Sequence, residues 1–166
     1  MEEVIAFTKV ALPYGWLGNM SPYPIDFGGV TWRTSEALFQ GLRFKDKDIQ
    51  ELIRAEKSPM GAKFVMKANK EHISVEPHSK KDVMNMKMCL VFKLMQYPEL
   101  IEELINTGNK TIIEDVTARG DKGGNLFWGA MLVENEDGFH WVGENTLGKL
   151  WMELRESHKK TWKVKK

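Results

Sequence analysis

The sequence predicts a mainly helical α+β fold with a few short strands. Two observations favour it: apolar side chains recur at helical spacing in several long segments, and β-branched residues cluster in only a few short ones. A chain of 166 residues can form one complete core but is too short for two ordinary domains. We therefore expect a single compact domain over residues 1–157, followed by a basic tail at 158–166.

Three segments are predicted to be extended. Val4–Phe7 is an apolar opening, and Thr111–Val116 is rich in β-branched residues. Between them, Ile25–Trp32 contains the pair Gly28-Gly29 between two β-prone pieces, which is typical of a hairpin.

The helices are predicted from their capping signals. Thr34 or Ser35 can cap a helix that carries Glu36 in its first turn, where the helix dipole favours a negative charge. Ser58-Pro59 is a strong start signal for another helix, and Asp48–Ala55 forms a short one between them.

The second half of the chain is predicted to hold three more helices. The longest is expected over Ser79–Met95, with its buried stripe at Val83, Met86, Leu90 and Leu94. A short helix follows Pro98 and ends near Thr107-Gly108. Asn145 is expected to cap the last helix, whose buried stripe is Leu147, Leu150, Trp151 and Leu154. From His158 onward, five lysines in nine residues indicate a disordered end, with a nonspecific phosphate contact as the alternative.

Composition narrows the class of protein. The chain has 24 basic and 23 acidic residues, a net charge of +1 and a hydrophobic fraction of 42%, as in a soluble globular protein. The N-terminus lacks the pattern of a secretory signal, and no apolar run is long enough for a membrane span, so we expect a cytosolic protein. Cys89 is the only cysteine and lies in a methionine-rich stretch, which favours a buried thiol. The four histidines lack zinc-binding spacing, and we expect neither a metal nor a cofactor.

A phosphate-loop spacing at Gly143–Lys149 is misleading. Leu150 occupies the position of the magnesium-binding serine or threonine, and only 16 residues follow it. We therefore reject nucleotide binding by this motif.

The most informative segment is the helix after Thr34. Glu36, Gln40 and Arg43 fall on one face at helical spacing. The face is either a solvated surface with stabilising side-chain pairs or a site built from a carboxylate, an amide and a guanidinium.

Four blocks of this sequence together resemble the NADAR family, the NAD- and ADP-ribose-associated domain. In chain order they are Tyr14–Pro24, Gly29–Gln40, Ser58–Lys63, and Phe127–Gly129 with Gly143–Lys149. They are similar to the family's Y-G-x-x-S-N-x-x-x-x-P, G-x-x-[WY]-x-[ST]-x-E-H-x-x-Q, P-x-x-A-K, and W-G with G-x-N-x-L-G elements. The resemblance covers most of the chain, and its specificity comes from the order and spacing of the blocks.

Four residues depart from the family pattern. Gly18 replaces a serine, Ala37 replaces the histidine after the glutamate, Arg43 stands where lysine is common, and Asn125 where aspartate is frequent. The glutamate itself, Glu36, is retained. We interpret the departures as marks of a subgroup with a shifted substrate preference.

The resemblance implies a cytosolic enzyme that hydrolyses an N-glycosidic bond between a ribosyl carbon and an amine. Family substrates include ADP-ribose attached to the guanine amino group of nucleic acid, and phosphoribosylated intermediates of riboflavin biosynthesis. An ADP-ribosyltransferase toxin is a further candidate partner. The alternatives are thus a guanine-ADP-ribose hydrolase, a riboflavin-intermediate N-glycosidase, and a non-catalytic ADP-ribose-binding module.

The resemblance also suggests roles for individual residues. Glu36 is the candidate acid or base, because cleavage needs a proton at the departing nitrogen and builds positive charge on the sugar carbon. Lys9 is a candidate nucleophile that would form a Schiff base, provided that burial or nearby cations favour its neutral amine; an exposed strand-end lysine is the alternative. Tryptophans can stack on a base or lie in the core. The candidate substrate-binding residues are Trp16, Asn19, Gln40, Arg43, Lys63, Asn125, Trp128 and Asn145.

Overall fold

The computed structural model describes residues 3–165, with side chains described for residues 3–162. Within residues 3–165 it has seven helices and six short strands, which confirms the mainly helical α+β prediction. Packing divides the chain into two compact units: Asn19–Gln96, here the central unit, and Met1–Gly18 with Tyr97–Lys166, here the terminal unit. The single domain predicted over residues 1–157 stays a prediction.

The central unit begins with a hairpin and continues with four helices. Strands β2 (Ile25–Phe27) and β3 (Val30–Trp32) pair antiparallel, with Ile25 opposite Trp32. Gly28 and Gly29 both have positive φ, at 63° and 80°, as a tight two-residue hairpin turn requires. The predicted glycine hairpin is therefore confirmed. The elements are β2 (Ile25–Phe27), β3 (Val30–Trp32), α1 (Ser35–Leu42), α2 (Lys47–Ala55), α3 (Pro59–Ala68), a 3₁₀ turn (Lys70–His72) and α4 (Lys80–Gln96).

Helix α1 is the centre of this unit and packs against α2, α3 and α4. Thr34 caps it through Oγ1, which accepts from the Ala37 amide at 3.1 Å. Ser58 caps α3 in the same way through the Gly61 amide, so both predicted capping signals are confirmed. A methyl group at Gly41 would lie 2.4 Å from the Trp32 ring, so only glycine allows α1 to approach this indole so closely.

Helix α4 differs from its prediction in two respects. It is not the longest helix, since α7 has 20 residues and α4 has 17. Its predicted stripe is buried at Met86, Leu90 and Leu94, but Val83 is only half-buried. The buried face instead includes Asp82, a charged residue that hydropathy alone does not select.

The terminal unit combines a parallel strand pair with helices. Strand β1 (Val4–Phe7) pairs in parallel with β4 (Thr111–Glu114), and α7 (Thr146–Lys165) packs on β4 and on α5 (Glu99–Asn106). An antiparallel hairpin of β5 (Met131–Asn135) and β6 (Gly138–Val142) completes the unit. The elements are β1 (Val4–Phe7), a 3₁₀ turn (Gly15–Leu17), α5 (Glu99–Asn106), β4 (Thr111–Glu114), α6 (Asn125–Trp128), β5 (Met131–Asn135), β6 (Gly138–Val142) and α7 (Thr146–Lys165).

The lysine-rich end is helical, so the expectation of a disordered tail from His158 is wrong as far as Lys165; Lys166 lies outside the described residues. Lysine is a good helix former. Two side chains of the helix also anchor it to the loop at 108–110. Arg155 donates to the Lys110 carbonyl at 2.7 Å, and Lys159 donates to Asn109 Oδ1 at 2.8 Å. Within residues 3–165, no helix combines the length and apolar character that a membrane crossing needs.

Candidate active site

The polar face of α1 is buried, which excludes the solvated-surface alternative. Glu36, Gln40 and Arg43 expose only 8%, 3% and 5% of their surfaces. Buried polar side chains are stable only when their hydrogen-bonding groups are satisfied. Each of the three is accordingly hydrogen-bonded, and together they form one continuous chain.

The chain of hydrogen bonds begins at the glutamate. Gln40 Nε2 donates to Glu36 Oε1 at 2.9 Å, and Arg43 Nη1 donates to Gln40 Oε1 at 3.4 Å. Among the described side chains, the hydrogen bond to the Glu36 carboxylate comes from Gln40 and is made to Oε1. The second oxygen, Oε2, can therefore contact a water or a substrate. Glu36 is therefore held in one orientation while keeping one oxygen available for chemistry.

Arg43 is fixed by α4 rather than left open to a phosphate. Its Nε and Nη2 donate to the two carboxylate oxygens of Asp82 at 2.9 and 2.8 Å, in bidentate geometry. The guanidinium also lies 4.6 Å from the centre of the Phe39 ring. All three guanidinium nitrogens have partners inside the central unit, so Arg43 has a structural role there, and its contact with phosphate stays a prediction.

Asn19 holds the start of α1. Its backbone carbonyl accepts from the Glu36 amide at 3.0 Å, and its Oδ1 accepts from Ser35 Oγ at 3.1 Å. Its Nδ2 donates to Met86 Sδ at 3.0 Å, and only 7% of the residue is exposed. These contacts let Asn19 position the start of the helix that carries Glu36, and its contact with a substrate hydroxyl stays a prediction.

The face of α4 that carries Asp82 continues with buried residues. Asp82, Met86, Cys89 and Lys93 follow at steps of four, three and four residues and are all buried. Burial, followed by repulsion from the Glu36 carboxylate, raises the pKa of the Cys89 thiol. Cys89 is thus the buried, unreactive thiol that the sequence predicted.

Lys93 is the residue that sequence reasoning missed. It has no exposed surface; its Nζ donates to Ser21 Oγ at 2.8 Å and lies 5.0 Å from the Tyr23 ring centre. Burial lowers the pKa of Lys93 to about 7, so the neutral amine is accessible near neutral pH. The signal was a single lysine inside the apolar run from Cys89 to Met95, a run that was assigned wholly to core packing.

The two remaining lysine candidates are both accessible. Lys63 is half-buried on α3, which packs against α1, and it belongs to the same unit as Glu36. Lys9 lies in the terminal unit, just after β1, and is exposed. Lys9 is therefore not buried, as the proposed nucleophile was expected to be, but its amine is accessible to a substrate.

The remaining candidates lie in the terminal unit. Trp16 is 6% exposed and packs edge-on against Trp151, with ring centres 5.7 Å apart. It is therefore a core residue and not a base-stacking surface. Trp128 is half-buried beside Phe127, and Asn125 is half-buried, with its Nδ2 donating to the Gly120 carbonyl. These two remain candidates for substrate contact.

Asn145 connects the start of α7 to β4. Its Oδ1 accepts from the Glu114 amide at 3.0 Å, and its Nδ2 donates to the Ile112 carbonyl at 2.9 Å. The residue precedes α7 as predicted, but its side chain bonds a strand instead of the helix amides. These two bonds give Asn145 a structural role, and its contact with a substrate hydroxyl stays a prediction.

Comparison with known proteins agrees with the four sequence blocks. The family model for the NADAR domain matches residues 6–158. The chain belongs to the NADAR family. Within NADAR, it is similar to N-glycosidase YbiA of Escherichia coli, with 32% identity over 155 residues covering 93% of this chain and 88% of that protein. It is also 28% identical to N-glycosidase Npun_R5314 of Nostoc punctiforme, over 92% of this chain and 90% of that one.

A solved NADAR structure supports the fold as well. The NMR structure of the Escherichia coli protein YbiA matches 99% of this chain and 89% of its own, with a TM-score of 0.75 and 29% identity. These relatives are named N-glycosidases, which confirms the predicted class of activity, a hydrolase acting on N-glycosyl compounds. They leave the ribosylated substrate of this NADAR protein open.

Proposed function

We propose that this protein hydrolyses the N-glycosidic bond between ADP-ribose and the guanine amino group in nucleic acid, with Glu36 at the reacting centre. The observation that carries the proposal is the Glu36 carboxylate: it is 8% exposed, oriented by Gln40 through Oε1, and has Oε2 available. The choice of substrate rests on the resemblance of the sequence blocks to the NADAR family, whose substrates include ADP-ribosylated guanine, and on the lysine-rich C-terminal end.

The chemistry needs one well-placed carboxyl group. The bond between the ribosyl carbon and the amine breaks when the nitrogen gains a proton and positive charge develops on the sugar. Glu36 can deliver that proton or remove one from the attacking water, depending on its ionisation. Its low exposure strengthens the electrostatic effect of the carboxylate on a cationic sugar, because water does not screen it.

An amine gives a second route to the same products. In that route Lys9 Nζ adds to C1 of the ring-opened sugar, the guanine amine leaves with a proton, and water then hydrolyses the resulting Schiff base. Replacing Lys9 with alanine tests this route directly. Abolished turnover in a folded variant would support covalent catalysis, and near-normal turnover would rule it out.

Three residues remain as substrate contacts. Lys63 is a candidate for the diphosphate, Asn125 for a ribose hydroxyl, and Trp128 for stacking on a base. All three are half-buried, so each has surface that a ligand can reach. Trp16, Asn19, Arg43 and Asn145 are not included, because each of them is buried as well as partnered inside its own unit. We place the activity in the cytosol, with an ADP-ribosyltransferase toxin as the candidate source of its substrate.

The test is release of ADP-ribose from a guanine-ADP-ribosylated DNA oligonucleotide, measured by mass spectrometry. We expect wild type to release it and Glu36→Gln to lose at least ~100-fold in rate, because the amide keeps the acceptor for Gln40 but cannot transfer the proton. Glu76→Gln is the matched control, since Glu76 is exposed and lies in the same unit. Equal rates for both variants would contradict the role of Glu36.

The second candidate function is hydrolysis of phosphoribosylated riboflavin intermediates, which the same sequence blocks and the net charge of +1 favour. Cleavage of such an intermediate in a Glu36-dependent way, with no release from the oligonucleotide, would select it. Binding of ADP-ribose without release from any substrate would identify a non-catalytic module.

A further inference from the structure

The exposed face of helix α3 combines apolar and basic side chains. Met60, Phe64 and Lys67 follow at steps of four and three residues, which places them on one side of the helix. Met60 is 46% and Phe64 60% exposed, while Ala62 and Met66 on the opposite side are buried. Met60 and Phe64 together leave an apolar strip exposed on a helix whose other face is already packed, and an apolar strip next to polar groups is a candidate for contact with another molecule.

The chain segment that forms α3 carries charge of one sign. Residues 57–70 contain four lysines and no acidic residue, in a chain whose overall charge is only +1. The Lys67 ammonium lies 5.9 Å from the Phe64 ring centre, and Lys70 in the following 3₁₀ turn is exposed. Glu56 and Glu71 border the segment but lie outside it. The Phe64 ring thus has an ammonium group, that of Lys67, near its face, and further lysines in the same segment of chain.

We propose that Met60, Phe64, Lys67 and Lys70, here the Phe64 surface, bind single-stranded nucleic acid; the proposal rests on the proposed function and specifies its substrate. An unpaired base offers a face for stacking on Phe64, and the neighbouring phosphates match the lysines. Proteins that hold single strands without sequence preference use this combination of aromatic stacking and basic groups. The surface lies on the helix that packs against α1, which carries Glu36.

A lipid surface fits these features less well. An interfacial helix presents a broad apolar face and inserts it between lipids. Here the exposed apolar part of α3 is confined to Met60 and Phe64, and the helix is fixed in the central unit through Ala62 and Met66. One stacking ring with adjacent cations suffices for a nucleotide but not for stable membrane attachment.

The experiment measures fluorescence anisotropy of an unmodified, labelled 12-nucleotide DNA strand, and of the same sequence as a duplex, with the full-length protein. We expect tighter binding of the single strand and about tenfold weaker binding by Phe64→Ala. Leu52→Ala is the matched control, because Leu52 is a similarly exposed apolar residue on α2. The double variant Lys67→Gln/Lys70→Gln should bind less tightly and reduce the slope of log K against log salt by roughly 1.4. Its control is Lys80→Gln/Lys81→Gln, which removes two exposed lysines from the start of α4.

The outcomes separate this inference from the proposed function. Affinities of the Phe64 and lysine variants equal to those of their controls would overturn the Phe64 surface, even if Glu36-dependent release of ADP-ribose is found. Phe64-dependent binding of the strand without release of ADP-ribose would overturn the activity and keep the surface. Phe64-dependent binding to phosphatidylserine vesicles, without binding to the strand, would assign the surface to membranes and refute the proposal.

Discussion

Gln40 Nε2 donates a hydrogen bond to Glu36 Oε1 across one turn of α1, at 2.9 Å. Both residues are buried, so this bond is not exchanged freely for one to water. The geometry makes Gln40 a positioning residue for the carboxylate on which the proposed reaction depends.

Replacing Gln40 with methionine should lower kcat by about 10- to 100-fold, because the carboxylate loses the donor that orients it. The Gln40 amide contacts the carboxylate and not the proposed substrate, so KM should change little. The measurement is kcat and KM at one pH. Gln50→Met is the control: the Gln50 amide bonds the Phe44 carbonyl, so its loss tests a purely structural effect. An unchanged kcat in Gln40→Met would contradict the positioning role, and a raised KM would instead support the predicted substrate contact.

The part of the site on α1 was predictable, since it depends on local signals. Thr34 as a cap fixes where the helix begins, and the helical repeat then puts Glu36, Gln40 and Arg43 on one face. The polar partners on α4 were not predictable. Asp82 and Lys93 are distant in sequence from the residues they bond, and periodicity carries no information about which helix packs against which. The ion pair of Arg43 with Asp82 could not be predicted for the same reason.

Two errors in the fold have similar causes. The β5–β6 hairpin was largely missed because a polar turn and acidic residues interrupt its apolar pattern, and its alternation is weak. The helical end of α7 was missed because its lysines were taken as a solvated tail. Its anchoring to the loop at 108–110 is a tertiary contact, which composition does not reveal.

The Arg43–Asp82 pair should be essential to the stability of the central unit. Both side chains are almost fully buried, so removing either partner leaves an uncompensated charge. Arg43→Met and Asp82→Leu should each lower the free energy of unfolding by about 3–5 kcal/mol. The double variant should lose less than the sum, because it leaves neither charge. Urea unfolding of all four proteins measures this coupling, and additive losses would show that the pair is not coupled.

Asn145 should matter for stability and not for substrate affinity. Its φ of 52° is left-handed, and its amide makes two hydrogen bonds to β4. Asn145→Gly keeps the backbone relaxed and loses the two bonds, which should cost about 2 kcal/mol. Asn145→Ala adds the strain of a left-handed alanine, about 1 kcal/mol more. In thermal unfolding, we expect wild type to have the highest Tm, Asn145→Gly a lower one and Asn145→Ala the lowest. An increase in KM at unchanged stability would instead restore the predicted substrate contact.

Lys93 should make the stability of the protein depend on pH above neutrality. Its pKa is about 7 in the folded state against 10.5 for an ordinary lysine, because burial disfavours the charged form. Below pH 7 the amine is protonated in both states, and burying that charge costs the fold on the order of 5 kcal/mol. Between pH 7 and 10.5 the unfolded chain binds a proton that the folded chain does not, so the cost diminishes as the pH rises.

The matched variant is Lys93→Met, which keeps the length of the side chain and removes the titrating group. We expect the stability of wild type relative to this variant to increase from pH 6 to pH 9, as measured by urea unfolding at each pH. In Lys93→Met the Ser21 hydroxyl loses the same partner at pH 6 and at pH 9. This loss therefore does not contribute to the change of relative stability between the two pH values. A difference that is constant with pH would mean that Lys93 keeps its charge in the folded protein, and that the Ser21 and Tyr23 contacts compensate for its burial.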